Sequence, residues 1–192
     1  MSLRARLFAI WLKKRPKNLS PMKTIAVVFA GMILLGALLL TLPAASRSGI
    51  SCGFRPALFT ATSATCVTGL VLYDTYTQWS GFGQFVIISL IQIGGLGFMS
   101  AATLFVFFLR KRIGLKQRLV MAQALSVSDM DGIVHLQKNV LKGSFAIEGI
   151  GAAILFVRFL PEYGFVNALK WGIFHSISAF CNAGFDIFGC IT

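Results

Sequence analysis

Apolar positions fall into a few long runs, separated by short polar or basic stretches. From Thr24 to Leu42 the sequence reads TIAVVFAGMILLGALLLTL, uncharged and stopped by Pro43. Phe82 to Leu109 is a second charge-free run of 28 residues. As a helix it would reach about 42 Å, more than a bilayer's hydrocarbon core of about 30 Å needs, so it must tilt, break or project. The small residues of IGGLGFMSAA, Ile93 to Ala102, mark the place for a bend or a close helix contact. A third run, Gly143 to Pro161, carries one carboxylate, Glu148, with Lys142 near enough to pair with it; a residue on another helix is the alternative partner. Arg158 lies near that run's far end, where its head can snorkel outward. Between the second and third runs, Leu119 to Asn139 is too polar to span and holds Asp129 and Asp131, so it reads as a helical connector.

Two shorter segments break this pattern. Arg55 to Thr65, RPALFTATSAT, is helical in character and apolar enough to enter a membrane, but too short to cross it. It is followed by CVTGLVLYD, extended-looking and carrying a glycine, before Trp79, which is expected to anchor the next span at the interface. Only 39 residues, Pro43 to Gly81, separate the first two spans. A helix that enters from one side and cannot cross must leave by the same side. Irregular backbone at that depth is tolerated only inside protein or along a watery path.

The segment recurs. FTATSATCVTGL at Phe59 returns as FHSISAFCNAGF at Phe174, pairing Ser63 with Ser178, Ala64 with Ala179, Cys66 with Cys181 and Gly69 with Gly184 at an offset of 115. The preceding spans align at an offset of 118, through Gly31 with Gly149 and Pro43 with Pro161. Two such units separated by an even number of crossings share an orientation, which makes the repeat parallel.

Composition narrows the class. The chain of 192 residues is 56% hydrophobic and 12% charged, with mean hydropathy +0.79, so it is read as an integral membrane protein. The net charge of +12 is explained by placement: Arg4, Arg6, Lys13, Lys14, Arg15, Lys17 and Lys23 precede the first span, and Arg110, Lys111, Arg112, Lys116 and Arg118 follow the second. Basic flanks of this kind mark the cytoplasmic side and suit an anionic leaflet, and they argue against nucleic acid. The apolar run after the basic N-terminus is of full spanning length, so an uncleaved span is expected rather than a signal peptide. Cys52, Cys66, Cys181 and Cys190 have no metal spacing.

These features suggest a chemistry. A dehydrated monovalent cation needs a ring of oxygens in place of its water, and successive carbonyls supply one if the backbone alternates conformations that glycine adopts without cost. The C-terminal end of each short helix adds a negative field. No acidic ring or His/Cys set sits at either glycine, so carbonyl selectivity is the natural inference, with the Cys66 and Cys181 thiols packed behind the loops. A membrane enzyme would have only Glu148, His175 and Asp186 to work with, at no catalytic spacing; packing or a helix hydrogen bond accounts better for His175. Other readings are a transporter for another cation or substrate and a plain membrane anchor.

At TATSATCVTGL, IQIGGLGFMS and HSISAFCNAGFD the chain resembles the Trk/Ktr/HKT superfamily of potassium transporters, most closely its bacterial KtrB-type membrane subunits. The resemblance covers essentially the whole chain. It implies an all-α membrane fold of repeated transmembrane helix–re-entrant pore loop–transmembrane helix units, four around one pathway. Here they divide as a basic cytoplasmic N-terminus at 1–23, a first repeat at 24–109, a cytoplasmic connector at 110–139, and a second, incomplete repeat at 140–192. It implies K+ bound by the carbonyls of Cys66, Val67, Thr68, Gly69 and Leu70 and of Cys181, Asn182, Ala183, Gly184 and Phe185. It further implies cell-membrane residence with loops entering from outside, a homodimer, and a cytosolic KtrA-type ring of nucleotide-binding regulatory subunits. No cofactor is expected in this chain, nucleotide belongs to the partner, and Na+ stimulates or couples uptake in some members. Its departure is that it stops at Thr192, after the second loop and before the family's gating loop in the third repeat. A fragment of a subunit about twice as long is therefore expected.

Overall fold

The computed structural model describes residues 21–97 and 133–189. The N-terminal basic stretch up to residue 20, the second run beyond residue 97, the Arg110–Arg118 cluster, Asp129, Asp131 and Cys190 lie outside the described residues. The described part is helical, and its one β contact is an isolated bridge between Ser46 and Trp79.

Helix α1 spans Pro21–Thr41, opening on a proline suited to a first turn and ending where Pro43 starts a short 3-10 turn, Pro43–Ala45. Helix α2, Phe54–Thr65, folds back against it. The interface is built of small residues: Ala37, Ala57, Ala61 and Ala64 are fully buried. A Cβ on Gly36 would stand 2.6 Å from Leu90 and 3.4 Å from Ala61, so that glycine is where α1, α2 and the next long helix meet.

After α2 the chain runs through a loop to a one-turn helix α3, Thr75–Gln78, capped by Asp74 Oδ1, which accepts from Thr77 N at 2.7 Å. Helix α4, Gly81–Gly95, is capped in the same way by Ser80. Its start is fastened to the end of α1: Ser80 N donates to Ala45 O at 2.9 Å, Ser80 Oγ to Ala44 O at 2.6 Å, and Arg47 N to Gln78 O at 2.9 Å. The interval between α1 and α4 thus begins and ends at one place. Trp79 departs from the expected role of interfacial anchor. It is 1% exposed, drawn into the core by this hydrogen-bonded return. The long second run breaks as a helix at the glycine cluster: α4 ends at Gly95, and Gly97 takes φ +78°.

Helix α5, Ile133–Phe180, is two arms joined at Gly164, whose φ of 72° and ψ of 169° belong to a region that is essentially glycine's alone. The arms, 133–163 and 165–180, fold back on one another, with Gly172 against the backbone of Ala152 and Phe156, and Gly151 against Ser176. The expected end of the span at Pro161 moves three residues on, because glycine rather than proline makes the break. Gly53, just before α2, has a similar φ of 83° and ψ of 160°, and in both places the next residue is a phenylalanine opening the short helix. From Lys138 to Phe180, α5 is long and apolar enough to cross a membrane; the apolar parts of α1 and α4, Ile25–Thr41 and Gly81–Gly95, are shorter. Large apolar side chains such as Ile154, Val157 and Val166 are 65%, 68% and 76% exposed, as suits a surface facing lipid or further protein.

Candidate cation site at two glycine loops

Each short helix ends in the same way. In α2, Cys66 N donates to Thr62 O at 2.8 Å, Val67 N to Ala64 O at 3.3 Å and Thr68 N to Ser63 O at 3.0 Å. At the end of α5, Cys181 N donates to Ile177 O at 2.9 Å, Asn182 N to Ala179 O at 3.0 Å and Ala183 N to Ser178 O at 2.7 Å. These are Schellman closures, which need a left-handed residue just past the cap. Val67 and Asn182 fill that position, each at φ 57°. Asparagine tolerates it; a β-branched valine there is strained. Two residues on, Gly69 and Gly184 are left-handed again, at φ 75° and 70°. The intervening Thr68 and Ala183 are not among the positive-φ residues, so each loop alternates in handedness along its backbone.

The two loops meet at their glycines. A Cβ on Gly69 would lie 2.7 Å from Ala183 O and 3.3 Å from Gly184 Cα; one on Gly184 would lie 3.4 Å from Gly69 Cα. Residues 115 apart in sequence thus approach so closely that a Cβ on Gly69 would clash with the other loop's backbone. Of the ten carbonyl-bearing positions expected from the resemblance, Gly69 of the first loop and Ala183 and Gly184 of the second are the ones that meet here. Phe185 O is drawn back to its helix, accepting from Ser178 Oγ at 2.6 Å, while Thr68 Oγ1 donates to Ser63 Oγ at 2.9 Å in the first loop.

Helix α4 supports both loops from one end. A Cβ on Gly94 would overlap the Thr65 carbonyl, and one on Gly95 would sit 2.5 Å from Cys181 Sγ. The glycine cluster expected to allow close contact does so, against the last turn of α2 on one side and the second loop on the other. The Cys181 thiol packs behind its loop. Cys66 does not: it is exposed. Glu148 is 5% exposed, and of its two expected partners it takes not Lys142 but a residue on another helix: Gln92 Nε2 donates to both its oxygens, at 2.8 and 2.9 Å. Gln92 did not stand out in the sequence; Ser178 did, but only as the partner of Ser63 at the 115 offset and not as a donor to Phe185 O.

Beyond the second loop an open cavity of about 470 Å³ is lined by Leu155, Phe159, His175, Asn182, Gly184 and Asp186 among others. His175 Nδ1 bonds Trp171 O at 2.8 Å, and since a carbonyl only accepts, that nitrogen carries the proton. Its Nε2 accepts from Ile187 N at 3.4 Å, and its ring stacks on Phe188 at 4.0 Å. His175 therefore packs the second short helix against the segment leaving the loop, as its helix position suggested. Arg158 pairs with Glu162, one turn on, at 2.6 Å.

The sequence from residue 10 to 189 matches the TrkH family, described as cation transport proteins. The chain belongs to that family. It is 49% identical over 179 residues to the potassium/sodium uptake protein NtpJ of Enterococcus hirae, covering 93% of this chain and 40% of that protein. It is 47% identical over 168 residues to the Ktr system potassium uptake protein B of Bacillus subtilis, covering 88% and 37%. To the Ktr system potassium uptake protein D of the same organism it is 41% identical over 172 residues, covering 89% and 38%. It thus spans about two fifths of the length of these relatives. TrkH membership makes this a membrane protein of a transport family and not an enzyme.

Proposed function

We propose that the chain supplies two of four selectivity-filter segments of a potassium uptake subunit, each on a hairpin that enters the membrane and returns on the same side. The observation that carries this reading is the contact of Gly69 with Gly184 between two loops of matching, alternating backbone handedness. Alternation turns successive carbonyls toward one side, where they replace the hydration shell of a cation. The C-terminal end of α2 points into the first loop and that of α5 into the second, and both ends favour positive charge. The ion is K+ in this reading, as the names of the Ktr relatives suggest, with Na+ as a second ion following the name of the E. hirae protein.

The remaining expectations belong to the same proposal. The units at 24–109 and 140–192 are parallel repeats; residues 1–23 and 110–139 face the cytoplasm, and the loops open to the exterior. The complete subunit pairs as a homodimer on a KtrA-type regulatory ring that carries the nucleotide. The fastening of α4's start to α1's end supports a returning hairpin, since it places both flanks of the interval together.

Uptake into cells lacking their own potassium systems tests the filter. In the complete subunit, Gly69→Ser and Gly184→Ser should each lower discrimination of K+ over Na+ by about tenfold or more, because a side chain at either glycine meets the other loop. Parental discrimination in both variants would refute the filter assignment.

A further inference from the structure

Glu148 sits on the first arm of α5, buried, and no cation among the described residues pairs with it. A carboxylate there would be an uncompensated charge in an apolar setting, a costly arrangement. Its side chain has one partner, the Gln92 amide nitrogen, which lies equally close to both oxygens. The other half of that amide, Gln92 Oε1, is buried with no hydrogen-bond partner. An ionised carboxylate offers acceptors only, so it leaves the Gln92 oxygen unserved. A carboxyl that carries its proton repairs both faults. Its O–H donates to Gln92 Oε1 while its other oxygen accepts from Gln92 Nε2, after small turns about the two terminal side-chain bonds.

We propose that Glu148 is held as the neutral acid in a reciprocal acid–amide clasp with Gln92, and that this clasp positions the second glycine loop. The route is short. Gln92 lies one helical turn before Gly95, against which Cys181 packs, and the Glu148 carbonyl accepts from Ser176 Oγ at 2.6 Å. The clasp therefore joins α4 to both arms of α5 at the base of the loop. Its role in selection rests on the filter reading; its chemistry does not.

Infrared spectroscopy and ion flux on the complete subunit in liposomes at neutral pH test the proposal. The parent shows the carbonyl stretch of a hydrogen-bonded carboxylic acid, which Glu148→Gln removes. Two facing amides can still make two reciprocal bonds, so Glu148→Gln keeps K+ over Na+ discrimination within about twofold. Gln92→Leu leaves the acid without its partner, moves the stretch to higher frequency and lowers discrimination about tenfold. Absence of the acid stretch in the parent overturns the clasp. So does a Glu148→Gln variant as impaired as Gln92→Leu, the result expected of an ionised carboxylate paired with a cation from elsewhere in the subunit. The two readings separate: a missing stretch with Gly184→Ser impaired sinks the clasp alone. An acid stretch with Gly184→Ser unimpaired sinks the filter, and the positioning role with it.

Discussion

Glycines that look alike in the sequence do different work. Gly31 and Gly149 pair in the spans' register, yet neither has anything within 4 Å of where a Cβ would stand. Gly94, in a cluster expected to allow a bend or a close helix contact, has the Thr65 carbonyl in that space. The backbone of α2's last turn cannot yield as a flexible side chain would. Gly94→Ala should therefore destabilise the protein by about 1–3 kcal/mol, the usual range for overpacking. Gly31→Ala, facing open space in a helix, should be neutral or slightly stabilising. Thermal unfolding in detergent compares the two, and equal midpoints would remove the argument for a close approach at α4. The carboxylate shows the same limit on sequence. That Glu148 needed a buried partner was legible from its depth in an apolar run, but Gln92 lies 56 residues away on another helix and no local pattern points to it.

At the scale of elements, the apolar runs located the helices well and their ends less so. α1 and α2 begin and end within a few residues of the expected limits, since uncharged runs bounded by Pro and Gly leave few choices. The third span was expected to stop at Pro161, the strongest breaker in view. The helix instead passes through it to Gly164. A proline near a helix end removes one bond and one donor, whereas the conformation at 164 reverses the chain and is open to glycine alone. Gly164→Ala should cost about 1–3 kcal/mol and weaken the docking of the second arm, while Pro161→Ala should do little. Unfolding midpoints of the two variants check this; a larger loss at 161 would reassign the break. The match of Gly53–Phe54 with Gly164–Phe165 was missed in the sequence because its offset, 111, differs from the 115 of the loops: the second short helix is one turn longer.

The described residues form a hairpin-rich bundle whose exposed apolar faces require lipid or more protein around them. In the proposed topology, which the placement of basic residues suggests, the α1–α2 connection faces outward and the basic cluster inward. Ile50 is 73% exposed in that connection. In a background without the native cysteines, Ile50→Cys should react with an impermeant maleimide on intact cells. Arg112→Cys should react only after permeabilisation. The reverse pattern would invert the topology.

Membrane character, the approximate helices and the register linking the two short segments were decided by sequence alone, because all three are local or periodic properties of side-chain type. TrkH membership agrees with what those residues suggested. Tertiary structure decided which atoms meet: that Gly69 touches Gly184, that α4 supports the ends of both short helices, that Trp79 is core, and that Glu148 answers to Gln92. Contacts between distant helices depend on how arms fold and how closely backbones approach, and that geometry is set by the packing of the whole chain.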